Sequence, residues 1–213
     1  LCARGIDLVH THDRRMHLAY ALGAAAAAVP HIWHQRTPSS STKLISHTAG
    51  AAAIVGVSGF CRDSFPEPVR ARADCLFNPF EVPPLADRTQ AGQDLRARLG
   101  GSPETRIVLF AANLDDRKRP LLFVQIAKRL VEEHKQPLFF AMIGEARAPH
   151  DAALRDAIAS AGLDGMCQHF GRQSPIGPWM SGADMLLAPA RKEALGRTLI
   201  EAQMLELPVL ATA

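Results

Sequence analysis

The sequence is short of the features that would assign it quickly. Only 6% of its 213 residues are aromatic. None of its four cysteines, Cys2, Cys61, Cys75 and Cys167, belongs to a C-x-x-C pair, which argues against a disulfide framework and against paired-cysteine zinc ligation, and fits a reduced compartment. The longest apolar run, Leu18 to Pro30, is alanine-rich and falls well short of the roughly 20 residues that a membrane-spanning helix needs. It follows a strand-like segment, so it does not read as a signal peptide. The net charge is only +3. Residues 1–100 carry 11 basic and 8 acidic side chains, and residues 101–213 carry 13 of each. A basic stripe interleaved with aromatics is missing, so no nucleic-acid partner is expected. The chain opens on Leu1 rather than methionine and closes on the apolar run Pro208 to Ala213. Both ends read as cuts.

What is present is an ordinary globular composition, 47% hydrophobic and 21% charged, arranged as alternating strand and helix. Strands are expected at 6–10, 31–34, 54–57 and 74–77, with helices at 14–28, before Gly50 and at 59–65. Residues 79–104 change character, with Pro79, Pro83, Pro84, Gly92, Gly100, Gly101 and Pro103; only Asp94 to Leu99 suggests a helical turn. This stretch is the expected linker. The alternation then restarts: strands at 106–112, 138–143, 166–170, 184–188 and 208–210, helices at 118–134, 150–161, 174–181 and 197–206. Leu121, Leu122, Val124, Ile126, Ala127, Leu130 and Val131 recur at helical spacing. Repeated strand–helix units of this length predict parallel sheets covered on both faces. The reading is therefore two Rossmann-like α/β domains, both truncated: residues 1–80, a linker over 81–104, and residues 105–213.

Ligands bind such sheets at the carboxyl ends of the strands, which directs attention to three groups. The first is Glu193-Ala194-Leu195-Gly196-Arg197-Thr198-Leu199-Ile200-Glu201, between a strand and a helix. A helix start offers free N–H groups and partial positive charge to a phosphate, Gly196 lets a ligand approach the backbone, and the two carboxylates are acceptors for sugar hydroxyls. The same residues also fit a helix cap and a solvated acid. The second is Asn113-Leu114-Asp115-Asp116-Arg117-Lys118-Arg119, whose three successive cations suit a diphosphate leaving group, or a solvated cluster balanced by Asp115 and Asp116. The third, His10-Thr11-His12-Asp13, resembles a metal site, but the local ligand count is low and no H-E-x-x-H spacing occurs. A polar contact to a substrate fits its strand-end position better.

Glu193 and Glu201, with Gly196-Arg197-Thr198 between them and Pro208-Val209 beyond, resemble the signature of the family-4 retaining glycosyltransferases, which have the GT-B fold. Val108 to Leu114 with Lys118, Ile143-Gly144-Glu145, Phe170-Gly171, Ala183-Asp184, Asp7 to His12, Val57-Ser58 and Asn78-Pro79 fall in that family's order. The chain departs from the pattern at Ala112, where the family usually has glycine, at Asn113, where it usually has arginine, and at Arg119, where glycine is common.

The resemblance implies transfer of a sugar from a nucleoside-diphosphate sugar to a glycan, lipid or small-molecule acceptor, with retention of configuration. It implies that Glu193, Lys118 and His12 act in catalysis: Glu193 on hydroxyls of the donor sugar, Lys118 on the diphosphate, His12 reaching the sugar. It implies donor binding by Glu201 through the ribose, and by Asn113, Gly144, Leu195, Gly196, Arg197, Thr198 and Leu199. No D-x-D motif is present, so no metal and no cofactor are expected. A cytoplasmic location is expected, and peripheral membrane association would put the protein at the inner face of the cell membrane. A GT-B epimerase acting on nucleotide sugars and a catalytically dead nucleotide-sugar-binding module share these features.

Overall fold

A computed structural model describes residues 4–81, 87–146 and 148–212. Leu1, Cys2, the linker prolines Pro83 and Pro84, and Ala213 lie outside them. The chain divides into two compact units, one formed by the chain up to Pro79 with Lys192–Leu195, the other by Phe80–Arg191 and Gly196 onward.

The first unit runs β1 (Val9–His12), α1 (Asp13–Ala26), β2 (His31–Gln35), α2 (Lys43–His47), β3 (Ala53–Gly56), α3 (Gly59–Asp63), α4 (Glu67–Arg70) and β4 (Ala73–Cys75). Its four strands are parallel and lie in sequence order. Trp33, Leu44, Ile54, Cys61, Phe65 and Val69 form its core, with the Trp33 and Phe65 rings stacked 5.6 Å apart. The Ser58 hydroxyl caps α3 by accepting from the Cys61 N–H and donates to the Ala194 carbonyl. Burial pushes the Cys61 thiol up to about 11, so it is an inert packing group rather than a nucleophile.

The first strand begins and ends further along the chain than expected, so Thr11 and His12 lie within β1 with His10 rather than beyond it. Side chains alternate across a strand. Val9 and Thr11 are therefore buried, and His10 and His12 share the other, exposed face.

The second unit comprises α5 (Arg88–Arg98), β5 (Arg106–Ala111), α6 (Pro120–Glu133), β6 (Leu138–Ile143), α7 (His150–Ser160), β7 (Cys167–His169), α8 (Gly177–Gly182), β8 (Met185–Ala188), α9 (Arg197–Met204) and β9 (Val209–Ala211). All five strands are parallel, in the order β7-β6-β5-β8-β9. Alternation divides the core in two. Ile107, Leu109, Ala111, Phe139, Ala141 and Ile143 pack with Trp179 and Leu186 on one face. Val108, Phe110, Phe140 and Met142 pack with Phe123, Val124 and Leu154 on the other. Two covered faces explain why β5 and β6 are continuous apolar runs.

The helix α5 is longer than the turn its composition suggested. It is polar, with Leu95 and Gly92 its buried residues, so apolar periodicity could not reveal it. Its start is fixed by the Asp87 carboxylate, which accepts from the Thr89 and Gln90 N–H groups at 2.9 and 3.2 Å. It packs closely on α8 because Gly182 has no side chain: a Cβ there would lie 2.6 Å from the Ala91 carbonyl.

Asp184, just before β8, ties these parts together. Its carboxylate accepts from Arg96 of α5 at 3.0 and 2.8 Å, from Arg106 at 2.9 Å and from the Ile107 N–H at 2.8 Å. The Arg96 side chain is 15% exposed and that of Asp184 is 23% exposed, so screening by solvent is incomplete. Truncation to Asp184→Ala leaves Arg96 without its anion and should cost about 2–4 kcal/mol of stability. Urea unfolding checks this; a loss below about 0.5 kcal/mol would put the pair in the class of weak surface ion pairs.

Candidate functional site

In a doubly wound sheet the ligand crevice opens at the carboxyl edge where strand order reverses. In the second unit that reversal lies between β5, whose next strand in sequence sits on one side, and β8, which sits on the other. A cavity of about 340 Å³ lies there. Asn113, Lys118, Gly144 and Thr198 line it, joined by Arg117 and Arg172, so four of the expected site residues come together from the loops after β5 and β6 and the first turn of α9. Three cations line this small cavity against one carboxylate, Asp115, a positive excess that suits a polyanion.

The loop after β5 is built as a tight turn. The Lys118 N–H donates to the Asp115 carboxylate at 3.0 Å. Arg119 follows at φ 54°, in the left-handed region, just ahead of Pro120 in the first turn of α6. That conformation costs a residue with a side chain about 1 kcal/mol and is free to glycine, which accounts for the glycine that the resemblance expects at this position.

Asn113 has a structural task. Its amide oxygen accepts from the Glu145 N–H at 3.0 Å, and the Leu114 N–H donates to the Glu145 carbonyl at 2.9 Å. The loops after β5 and β6 are thereby laced together. Between them, Gly144 sits at φ 144°, with the Ala112 carbonyl so close that a Cβ would meet it at 1.8 Å.

At the start of α9, Gly196 adopts φ 74° and no side chain caps the helix; the Leu199 N–H donates to the Gly196 carbonyl at 2.9 Å, which leaves the Arg197 and Thr198 N–H groups to an acceptor. Thr198 stands in the first turn. Glu201 receives a hydrogen bond from Arg197, one turn earlier, at 3.2 Å. Leu199 packs against the core rather than into the cavity.

The remaining expected residues belong to the first unit. Glu193 is half-buried within the Lys192–Leu195 segment, and Leu195 packs against that unit's core. His12 accepts at Nδ1 from the Arg36 guanidinium at 3.1 Å. Burial, followed by Arg36 and His10, lowers its pKa. The sequence places His34 at a strand end but does not join it to His12. Parallel register sets it directly opposite His12, which no local pattern in either strand announces. Burial, with Arg36, His12 and His10 adding to it, lowers its pKa to about 4.

Because a methyl group at Gly144 must displace the Ala112 carbonyl, Gly144→Ala should destabilise the protein by at least about 2 kcal/mol. It should also shift the Asn113 loop that lines the cavity. Thermal unfolding tests the first effect; an unchanged midpoint would contradict the close approach.

The chain matches the family model for glycosyl transferases group 1 over residues 93–213. It is 31% identical over 133 residues to the lipopolysaccharide core biosynthesis mannosyltransferase LpsB of Rhizobium meliloti, an alignment covering 61% of this chain and 36% of that protein. It is 29% identical over 137 residues to the D-inositol 3-phosphate glycosyltransferase of Xylanimonas cellulosilytica, covering 62% and 32%. The match thus spans about a third of these curated relatives. Among solved structures, HepE of Anabaena in complex with UDP and glucose superposes with a TM-score of 0.85 at 17% identity, covering 99% of this chain and 60% of that one. A glycosyltransferase of Rickettsia africae gives 0.80 at 17% identity, covering 99% and 58%. With parallel sheets in both units and a family match over more than half its length, the chain has the GT-B fold and belongs to the glycosyl transferases group 1 family.

Proposed function

We propose that this chain carries the donor-binding part of a retaining transferase of the family-4 kind, which moves a sugar from a nucleoside diphosphate to an acceptor hydroxyl. The observation that carries the reading is the cavity at the β5–β8 crevice, where Lys118, Arg117 and Arg172 meet Thr198 of the α9 start and the glycine Gly144. Clustered cations and open helix N–H groups stabilise a diphosphate as it takes on charge. That UDP is bound by HepE and UDP-glucose by the same protein agrees in kind.

In this reading the bond between the anomeric carbon and the diphosphate oxygen breaks while the acceptor oxygen attacks the same face. The departing phosphate oxygen takes the acceptor's proton, and Lys118 offsets the charge that develops on the leaving group. Glu201, steadied by Arg197, accepts from the donor ribose. Glu193 accepts from hydroxyls of the donor sugar, and His12 contacts the same sugar. Leu195, Gly196 and Leu199 supply backbone near the phosphates, and Asn113 holds the loop that presents Lys118. The acceptor is a glycan, a lipid or a small molecule. No step calls on a metal or a cofactor, and the setting is cytoplasmic.

The test is a transfer assay with nucleoside-diphosphate sugars on an active preparation. Glu193→Gln should lower turnover about tenfold to a hundredfold, the worth of a hydrogen bond to a charged group, with nucleoside-diphosphate affinity nearly unchanged. Unchanged turnover would remove Glu193 from the donor sugar. Turnover should also persist in the presence of EDTA; loss restored by manganese or magnesium would contradict a metal-free mechanism.

A further inference from the structure

The face of the first sheet opposite Val9 and Thr11 holds a cluster that the transfer reading leaves mostly unused. His10 and His12 project from one face of β1, and His34 projects beside them from β2. Their rings lie close together: 4.7 Å between centroids for His10 and His12, 5.5 Å for His10 and His34, 5.3 Å for His12 and His34. Each offers one nitrogen within 4.8 Å of the others. Tetrahedral coordination at zinc–nitrogen distances of about 2.0–2.1 Å sets ligand nitrogens about 3.3 Å apart, so small side-chain rotations close the set.

A second observation is independent of this spacing. His34 is 3% exposed, and both its ring nitrogens are buried without a hydrogen-bond partner among the described residues. His17, also buried, satisfies one nitrogen on the His47 carbonyl at 3.0 Å, and His31 bonds to the Thr11 hydroxyl at 2.8 Å. A buried imidazole with neither nitrogen paired forgoes two hydrogen bonds, and a missing ion is one of the standard explanations.

We propose that His10, His12 and His34 form a binding site for a divalent transition metal of the zinc class. Three imidazole nitrogens select zinc, cobalt, nickel or copper and disfavour magnesium and calcium, which prefer oxygen. The coordination left over goes to water or an exogenous ligand. The competitor is Arg36, whose guanidinium donates to His12 Nδ1. Metal binding through either nitrogen of His12 breaks that bond, because the acceptor nitrogen is then either metallated or protonated. Asp13, which accepts from the Arg36 backbone N–H at 3.2 Å, holds the arginine nearby. Arg36 therefore lowers metal affinity both by its charge and by its grip on His12. Occupancy would also withdraw His12 from the donor sugar, a consequence that rests on the transfer reading; the site itself does not.

The experiment is titration of the chelator-stripped chain with zinc chloride by calorimetry, with cobalt(II) absorption as a second readout. One zinc ion should bind per chain, cobalt should give the visible bands of a low-coordinate site, and magnesium should not compete. His10→Ala, at an exposed position, should weaken zinc binding by roughly tenfold or more, at least the scale of losing an outer-shell partner. His34→Leu should abolish it while circular dichroism and the melting midpoint stay native. Arg36→Gln should tighten it, and His134→Ala, at the far end of α6, should leave it unchanged. Binding no tighter than millimolar, or binding unaltered in His10→Ala, overturns the proposal whether or not His34→Leu folds.

Discussion

Parallel pairing governs this molecule. Every strand in each sheet runs the same way, so all strand carboxyl ends of a sheet emerge along one edge and all amino ends along the other. Parallel strands require crossover connections, and here the crossovers are helices that cover the faces. The loops that follow the strands are thus brought together although they lie far apart in sequence. In the second unit the reversal of strand order between β5 and β8 opens that edge into a crevice. Asn113, Gly144 and Thr198 meet there because of this topology alone.

The opposite edge anchors the same strands. Asp184 stands at the amino end of β8 and bonds to the Ile107 N–H near the amino end of β5, with Arg106 and Arg96 completing its shell. At the carboxyl edge the two loops are laced by Asn113 and Glu145 around Gly144. The frame is held at both ends, which leaves the groups proposed to face the phosphates, the Lys118 side chain and the α9 N–H groups, on supported backbone. Such support is what electrostatic stabilisation of a leaving group needs, since donors that must reorganise lose much of their effect.

Most of the frame was legible in the sequence because apolar runs such as 106–111 and 138–143 are long and continuous. The helix α5 was not, since its stability comes from the Asp87 cap and from close packing at Gly182 rather than from an apolar stripe. The cavity residues Asn113, Lys118, Gly144 and Thr198 were legible through their spacing and through the resemblance that spacing carried; Arg172 was not. The reasons for Gly144 and for the departure at Arg119 were not, because a carbonyl 1.8 Å from an imagined Cβ and a φ of 54° are properties of the folded backbone. The strand-end position of His34 was legible, but its place beside His10 and His12 was not. Its partners lie on a neighbouring strand, and register between strands is a long-range property that no local motif encodes.

The central claim is that the β5–β8 crevice of the second unit receives the diphosphate. Backbone amide chemical shifts recorded as UDP is titrated into the protein test it residue by residue. The account predicts that the largest changes fall on residues 113–118, on Gly144 and on residues 196–199. Changes centred instead on the apolar cavity beside Leu95 and Trp179, with the crevice residues still, would contradict it.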